Sequence, residues 1–155
     1  MVVRSGANEI QFAEFDRWAE PPAQGIARII KETLGSARNV ESVALNSPGS
    51  ETLDYEVAIR ILACEGVRVE KGPSSVRFIA TWEARPVGPS STTAKQGVFT
   101  PNPAAWDGKD YGQLAGRISE AIAGLGKAIA AHLPAEPGPG EKGNQEKAGP
   151  AGNNP

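Results

Sequence analysis

The chain has 155 residues, of which 39% are hydrophobic and 22% are charged, so it can form one modest hydrophobic core. Its formal net charge is −2 and its 16 basic residues are scattered singly, which argues against a nucleic-acid-binding surface. The single cysteine excludes an intrachain disulfide. With only one histidine as well, there is little basis for a zinc site or for a nucleophile that a histidine activates.

The chain begins with two short predicted strands, Val2–Arg4 and Glu9–Phe15, which a Ser-Gly-Ala-Asn turn separates. In the second strand Ile10 and Phe12 alternate with polar residues, but the next large apolar residue, Phe15, is one position out of phase. Such a slip indicates a β-bulge or the end of strand pairing.

A helix is predicted at residues 22–35. Pro21 and Pro22 suit the entry to a helix, where a missing N–H costs nothing, and Gly35 is typical of a C-terminal stop. The stretch 13–22, Ala-Glu-Phe-Asp-Arg-Trp-Ala-Glu-Pro-Pro, is therefore interpreted as a corner at which a strand becomes a helix. The apolar residues at helical spacing are Ile26, Ile29, Ile30 and Leu34.

The middle of the chain is rich in strand signals. Residues 40–45 predict one strand, and the strongest alternation, at residues 54–69, predicts another with a bulge at Gly66. A turn at residues 71–74 joins this strand to the alternating residues 76–83, so the two are expected to form an antiparallel hairpin. A return strand at residues 93–100 and a loop at 101–109 complete the region.

A second helix is predicted at residues 111–133. Asp110 and Gln113 fit a capping box, in which the carboxylate accepts an early N–H and the glutamine side chain reaches back. From Pro134 the chain is rich in Pro and Gly and has no aliphatic side chain larger than Ala, so residues 134–155 are predicted to be a disordered tail. The apolar residues of the helix are Leu114, Ile118, Ile122, Leu125 and Ile129.

The predicted order is β-β-α-β-β-β-β-α, which indicates an α+β fold in one domain at residues 1–133. We expect an antiparallel-rich or mixed sheet with two helices packed on one face, as a two-layer sandwich.

Few residues suggest chemistry. Glu14 with Asp16, and Asp54 with Glu56, stand at i, i+2 spacing on strands, so each pair shares one strand face and an acid–base pair is one hypothesis. Apolar residues alternate with these carboxylates, so a solvated strand face explains them better.

Aromatic residues offer a second hypothesis, in which Phe15, Trp82 and Trp106 line a hydrophobic groove. Tryptophans of this kind more often pack in a core or at its rim. The residues by themselves therefore favour a binding or scaffolding domain over an enzyme.

The order Arg17-Trp18-Ala19-Glu20-Pro21, at the end of a strand and before an amphipathic helix, resembles the PqiC-like ABC-type transport auxiliary lipoprotein family. A long strand, a second strand ending near Trp82 and a final Ala-rich helix preceded by Tyr111 are also similar to that family. The resemblance covers about residues 2–133.

The resemblance implies a non-enzymatic periplasmic lipoprotein that is anchored to the outer membrane. Its partners would be an MCE-domain transport protein and inner-membrane transporter components, with which it would move lipids or hydrophobic compounds and support outer-membrane integrity. The five motif residues are then candidates for an interaction surface. No cofactor, metal or nucleic acid is expected.

Two features of the family are absent from the sequence as given. No signal peptide with a lipidated cysteine and no additional first strand precede Val2. The sequence as given is accordingly expected to be soluble and to be either a truncated form or one with a misassigned start, with the anchor belonging to the full-length native form. The alternative function is a free-standing domain that binds a small molecule or a lipid.

Overall fold

A computed structural model of the chain describes residues 1–6, 9–12, 20–45, 53–87 and 93–134. In these ranges the chain forms a six-stranded mixed sheet and two helices, which confirms the predicted α+β class. The predicted tail, except Pro134, lies outside the described residues. The elements are β1 (Val2–Ser5), β2 (Glu9–Phe12), α1 (Pro22–Gly35), β3 (Tyr55–Arg68), β4 (Ser74–Pro86), β5 (Lys95–Phe99), β6 (Ala104–Trp106) and α2 (Tyr111–Ala130).

The long β3–β4 hairpin is the centre of the sheet, whose strand order is β2-β1-β3-β4-β5, with β6 paired to the start of β4. β1 runs parallel to β3, while the other pairs are antiparallel. The hairpin and the return strand agree with the sequence prediction, whereas the parallel β1–β3 pair makes the sheet mixed.

One hydrophobic core joins the helices to one face of the sheet. α2 contacts β3, β4 and β6, and α1 packs chiefly against α2. The helices approach closely at Gly126, where an added Cβ would lie 2.9 Å from Thr33 of α1. The buried core residues that α2 and β4 provide are Leu114, Ile118, Ile122, Leu125 and Ile129, with Val76, Phe78, Ala80, Trp82 and Ala84.

The sequence predicted a bulge in β3 at Gly66, but the structure places it at Leu62. Ile61 pairs with Ala80 and the next paired residue is Ala63, so Leu62 is an extra residue without a partner on β4. The bulge reverses the phase of the strand. Odd-numbered residues face the core before it, and Cys64 and Gly66 face the core after it.

Gly66 is regularly paired, and its missing side chain serves packing. A Cβ there would lie 2.8 Å from Cζ3 of Trp106 and 3.1 Å from Cδ2 of Leu114. The glycine thus gives space to the two side chains that fill this end of the core. The sequence cannot distinguish a glycine at a bulge from a glycine at a close approach.

Two strand predictions were wrong. Residues 40–45 form no strand: Asn39 donates its amide to the carbonyls of Ala130 and Leu133, and Val43 packs against the core from an irregular segment. These bonds hold the segment at the C-terminal end of α2. Conversely, residues 104–106, predicted as loop, form β6 because Trp106 packs into the core beside the start of β4.

Both helices form where the sequence predicts them. α1 has the predicted bounds, and α2 ends at Ala130, three residues before the predicted end at 133. Asp110 accepts the N–H of Gln113 at 3.0 Å, as a capping box requires. The Gln113 side chain reaches back further than expected, to the N–H of Asp107.

We expect Gly66→Ala to lower the free energy of unfolding by about 1–3 kcal/mol, since the new methyl group overlaps Trp106 and Leu114. Gly116→Ala is the matched control. Gly116 is an exposed helical residue with open space around it, so alanine there should raise stability by about 0.5–1 kcal/mol. Urea unfolding of the three proteins measures both effects, and equal stabilities would contradict the packing role of Gly66.

Candidate functional site

The motif residues enter the structure at the start of α1. Arg17, Trp18 and Ala19 lie outside the described residues, as does Phe15, whereas Glu20 and Pro21 are placed. Pro21 is the N-cap of α1, and its carbonyl accepts the N–H groups of Gln24 and Gly25. The predicted helix entry at the prolines is thereby confirmed.

Glu20 folds back along the first turns of α1. Its Oε1 accepts from Nη2 and Nε of Arg28 at 2.8 and 3.2 Å, and Arg28 also donates to Glu32. These hydrogen bonds with the two carboxylates raise the pKa of Arg28. Gly25 gives the carboxylate room, because an added Cβ would lie 3.2 Å from Glu20 Oε1. The C-terminal end of the motif is therefore tied to the helix surface.

Trp82 is buried on the helix side of β4. Gly97 of β5 lies against its indole, where a Cβ would be 2.9 Å from Nε1. The ring of His132, beyond the end of α2, packs against the indole with centroids 5.1 Å apart. Lys95 donates to the carbonyl of His132 at 2.6 Å. The only histidine thus closes the core over Trp82.

Trp106 is buried at the opposite end of the core. Its Nε1 donates to the carbonyl of Asp110 at 2.6 Å, and the guanidinium of Arg68 lies 5.8 Å from the ring centroid. The following loop is held by Asp107, whose Oδ1 accepts the N–H groups of Asp110 and Lys109, both at 2.7 Å. These bonds lower the pKa of Asp107.

The structure therefore places Trp82 and Trp106 in the core, near opposite ends of β4. A groove that they line with Phe15 stays a prediction, since Phe15 is outside the described residues. Of the candidate carboxylates, Asp54 and Glu56 are exposed at the start of the hairpin, and Glu14 and Asp16 lie outside the described ranges.

A surface that the sequence analysis missed is the face of the sheet turned away from the helices, here called the open face. The strand registers place Ile10 and Phe12 of β2 on it, with Ile79 of β4 and Val98 of β5. Phe12 is 74% exposed and Val98 is 70% exposed. The sequence does contain a signal for this surface. Ile79 is an apolar residue at a strand position whose neighbours on the same face are polar.

A charged cluster lies in the middle of this face. Oε1 of Glu65 accepts from Nε of Arg4 at 3.1 Å and from Nη1 of Arg77 at 3.2 Å. Glu65 is only 7% exposed, while the Arg77 side chain is 51% exposed. The three residues come from β1, β3 and β4, so only the folded sheet brings them together.

A shallow cleft of about 300 Å³ adjoins the cluster. Arg77 and Ile79 of β4 form one side of it, Val67 of β3 contributes, and the segment after β5 closes it with Pro101 and Pro103. Its lining is predominantly apolar. This size is at the lower end of small-molecule sites.

The described residues contain no group of three His, Cys, Asp or Glu side chains that could hold a metal. Cys64 is a partly buried core residue, and burial raises the pKa of its thiol, as does the nearby Glu65. A thiol with a raised pKa is a poor nucleophile.

The family of the chain follows from its sequence match. The family model described as "ABC-type transport auxiliary lipoprotein component" matches residues 1–130. The chain belongs to this auxiliary lipoprotein family. The resemblance inferred from the motif is thereby confirmed. No protein with a curated description matches the chain.

Solved structures share the fold of this auxiliary lipoprotein. Protein XCC0632 from Xanthomonas campestris, of family DUF330, superposes with a TM-score of 0.69 at 15% identity, over 84% of this chain and 71% of its own. An uncharacterized protein superposes with a TM-score of 0.56 at 15% identity, over 84% of this chain and 78% of its own. Neither helix in the described ranges is long and apolar enough to cross a membrane.

Glu65→Gln should lower the free energy of unfolding by about 1–3 kcal/mol, because a buried carboxylate then no longer balances the two arginines. Glu83→Gln is the control, since Glu83 pairs with Arg85 on the same face but its side chain is 32% exposed, against 9% for Glu65. Chemical unfolding at neutral pH measures both. If the two variants lose equal stability, the buried cluster has no special role.

Asp107 should contribute to the acid sensitivity of the auxiliary lipoprotein. Its pKa is lowered on folding, so its stabilising effect is present above the unfolded pKa of about 4 and is lost as the pH falls through the folded value. Asp107→Asn keeps an oxygen acceptor but does not titrate, so its melting temperature should fall less steeply below about pH 4. Asp107→Ala should be less stable at neutral pH as well, because it removes the acceptor.

Proposed function

We propose that the chain is a non-enzymatic periplasmic subunit of an ABC-type transport system that moves lipids or other hydrophobic compounds across the cell envelope. The observation that carries this proposal is the match of the auxiliary lipoprotein family over residues 1–130. In its native form the subunit is held at the outer membrane by a lipid anchor and supports the integrity of that membrane. Its partners are an MCE-domain protein and the inner-membrane components.

The motif Arg17–Pro21 is proposed to contact the MCE-domain partner. Support comes from the way its described end is fixed. Pro21 caps α1 through its backbone. Glu20 accepts hydrogen bonds from Arg28, which lies about two turns further along the helix. A partner that binds Glu20 and Pro21 would thus meet residues already tied to a helix, which lowers the entropy cost of ordering these two on binding.

Co-purification from membranes tests the proposal. The chain, expressed with a lipoprotein leader beside a tagged MCE-domain protein from the same organism, should be recovered with it from detergent extracts. Failure to recover the complex, with both proteins folded by circular dichroism, would contradict the transport role. Such a failure, with a hydrophobic compound still bound, would favour the free-standing binding domain.

The docking role of the motif has its own test. Trp18→Ala should reduce recovery of the partner by about tenfold while leaving the melting temperature nearly unchanged, as truncation of an interface aromatic does. Val87→Ala, which trims another exposed apolar residue, is the control and should bind normally. A loss of several kcal/mol of stability in Trp18→Ala would instead place the ring in the core.

A further inference from the structure

We propose that the open face binds single molecules of an anionic phospholipid, with the headgroup phosphate on Arg77 and Arg4 and the acyl chains on the apolar surfaces at either side. The inference rests on the proposed transport function and deepens it by naming the class of cargo. Three features of the face carry it: its charge, the arrangement of its apolar side chains and the cleft.

The charge of the central cluster is unbalanced. Among the ion pairs of the described residues, Glu65 is the one carboxylate shared by two arginines, so the cluster carries a net positive charge. The other arginine pairs are matched or have excess negative charge, as at Arg28 with Glu20 and Glu32. Arg77 donates one of its five N–H groups to Glu65 and is half exposed. It can therefore donate to a phosphate without giving up its ion pair.

The strand registers place apolar residues beside Arg4, on the β1–β2 side of the charged cluster. Phe12 pairs with Val2, and Ile10 pairs with Arg4, which is a member of the charged cluster. The exposed apolar side chains of β2 therefore lie next to the cluster on the open face. Three strand spacings separate β2 from β4, or about 14 Å. This is close to the length of one leaflet's acyl chains, half of a bilayer core of about 30 Å.

The cleft provides an apolar surface on the other side of the cluster, at Arg77. Arg77 is one of its lining residues, together with Val67, Ile79 and the prolines 101 and 103. At about 300 Å³ it is large enough for part of one acyl chain but too small for a whole lipid. Two neighbouring arginines with an apolar surface at either side suit a ligand with one phosphate and two chains better than they suit a single peptide strand.

Binding is tested with short-chain lipids below their micelle concentration. Dihexanoyl-phosphatidylglycerol and dihexanoyl-phosphatidylcholine have the same chains and differ in net charge. Calorimetric titration of the full chain should show about tenfold tighter binding of the anionic lipid, a preference that declines as salt rises and screens Arg77. Equal affinity for the two lipids, or no binding of the anionic lipid, would overturn the proposal.

Matched variants locate the site. Arg77→Gln should abolish the preference for phosphatidylglycerol, while Arg85→Gln, on the same strand and face but in a balanced pair, should keep it. Phe12→Ser should weaken the binding of both lipids several-fold. Val87→Ser should not, because Val87 is an exposed apolar residue just after the C-terminal end of β4, ten residues beyond Arg77. Equal effects of the two arginine variants would indicate non-specific attraction and overturn the site.

The partner assay separates this inference from the transport role on which it rests. Recovery of the MCE-domain complex with no lipid preference would overturn the lipid site alone. Lipid preference without a complex would overturn the transport role alone. Protection of Ile10 and Phe12 from hydrogen exchange by the partner, together with failure to bind lipid, would make the open face a protein interface and overturn the proposal.

Discussion

The extra residue in β3, Leu62, determines which side chains of the central hairpin face the helices. Without the bulge, regular pairing through Leu62 would continue the alternation, and Glu65 would point into the core beneath α2, where an unpaired carboxylate is strongly unfavourable. With it, Cys64 and Gly66 take the core positions and Glu65 turns to the open face. The packing of Trp106 and the charged cluster between Arg4 and Arg77 both depend on this one change of phase.

Local signals in the sequence predict most of the elements. The prolines and the spacing of the isoleucines define α1, and the alternation on both sides of the Gly-Pro turn defines the hairpin. Contacts between distant segments decide the rest. Asn39 holds residues 40–45 at the end of α2, and Gly66 makes way for a tryptophan 40 residues later. No local pattern contains that information.

The same distinction separates the two candidate surfaces. The motif Arg17–Pro21 is contiguous, so its order alone indicates the family. The cluster of Arg4, Glu65 and Arg77 joins three strands, one of them through a parallel pair, and exists only once the strand order is known. The tryptophans attract attention in the sequence, yet Trp82 and Trp106 close the two ends of the core. The exposed apolar area belongs to smaller residues and to Phe12.

The single cysteine makes the opening of this sheet observable without an introduced reporter residue. Cys64 lies on the core side of β3, paired with Phe78, and burial raises the pKa of its thiol. Partial burial and the raised pKa therefore slow the reaction of a thiol reagent with the folded chain, and separation of the hairpin from α2 speeds it. The rate at which Cys64 of the natural sequence reacts thus reports how often the core opens. A lipid or partner that stabilises the sheet should lower this rate.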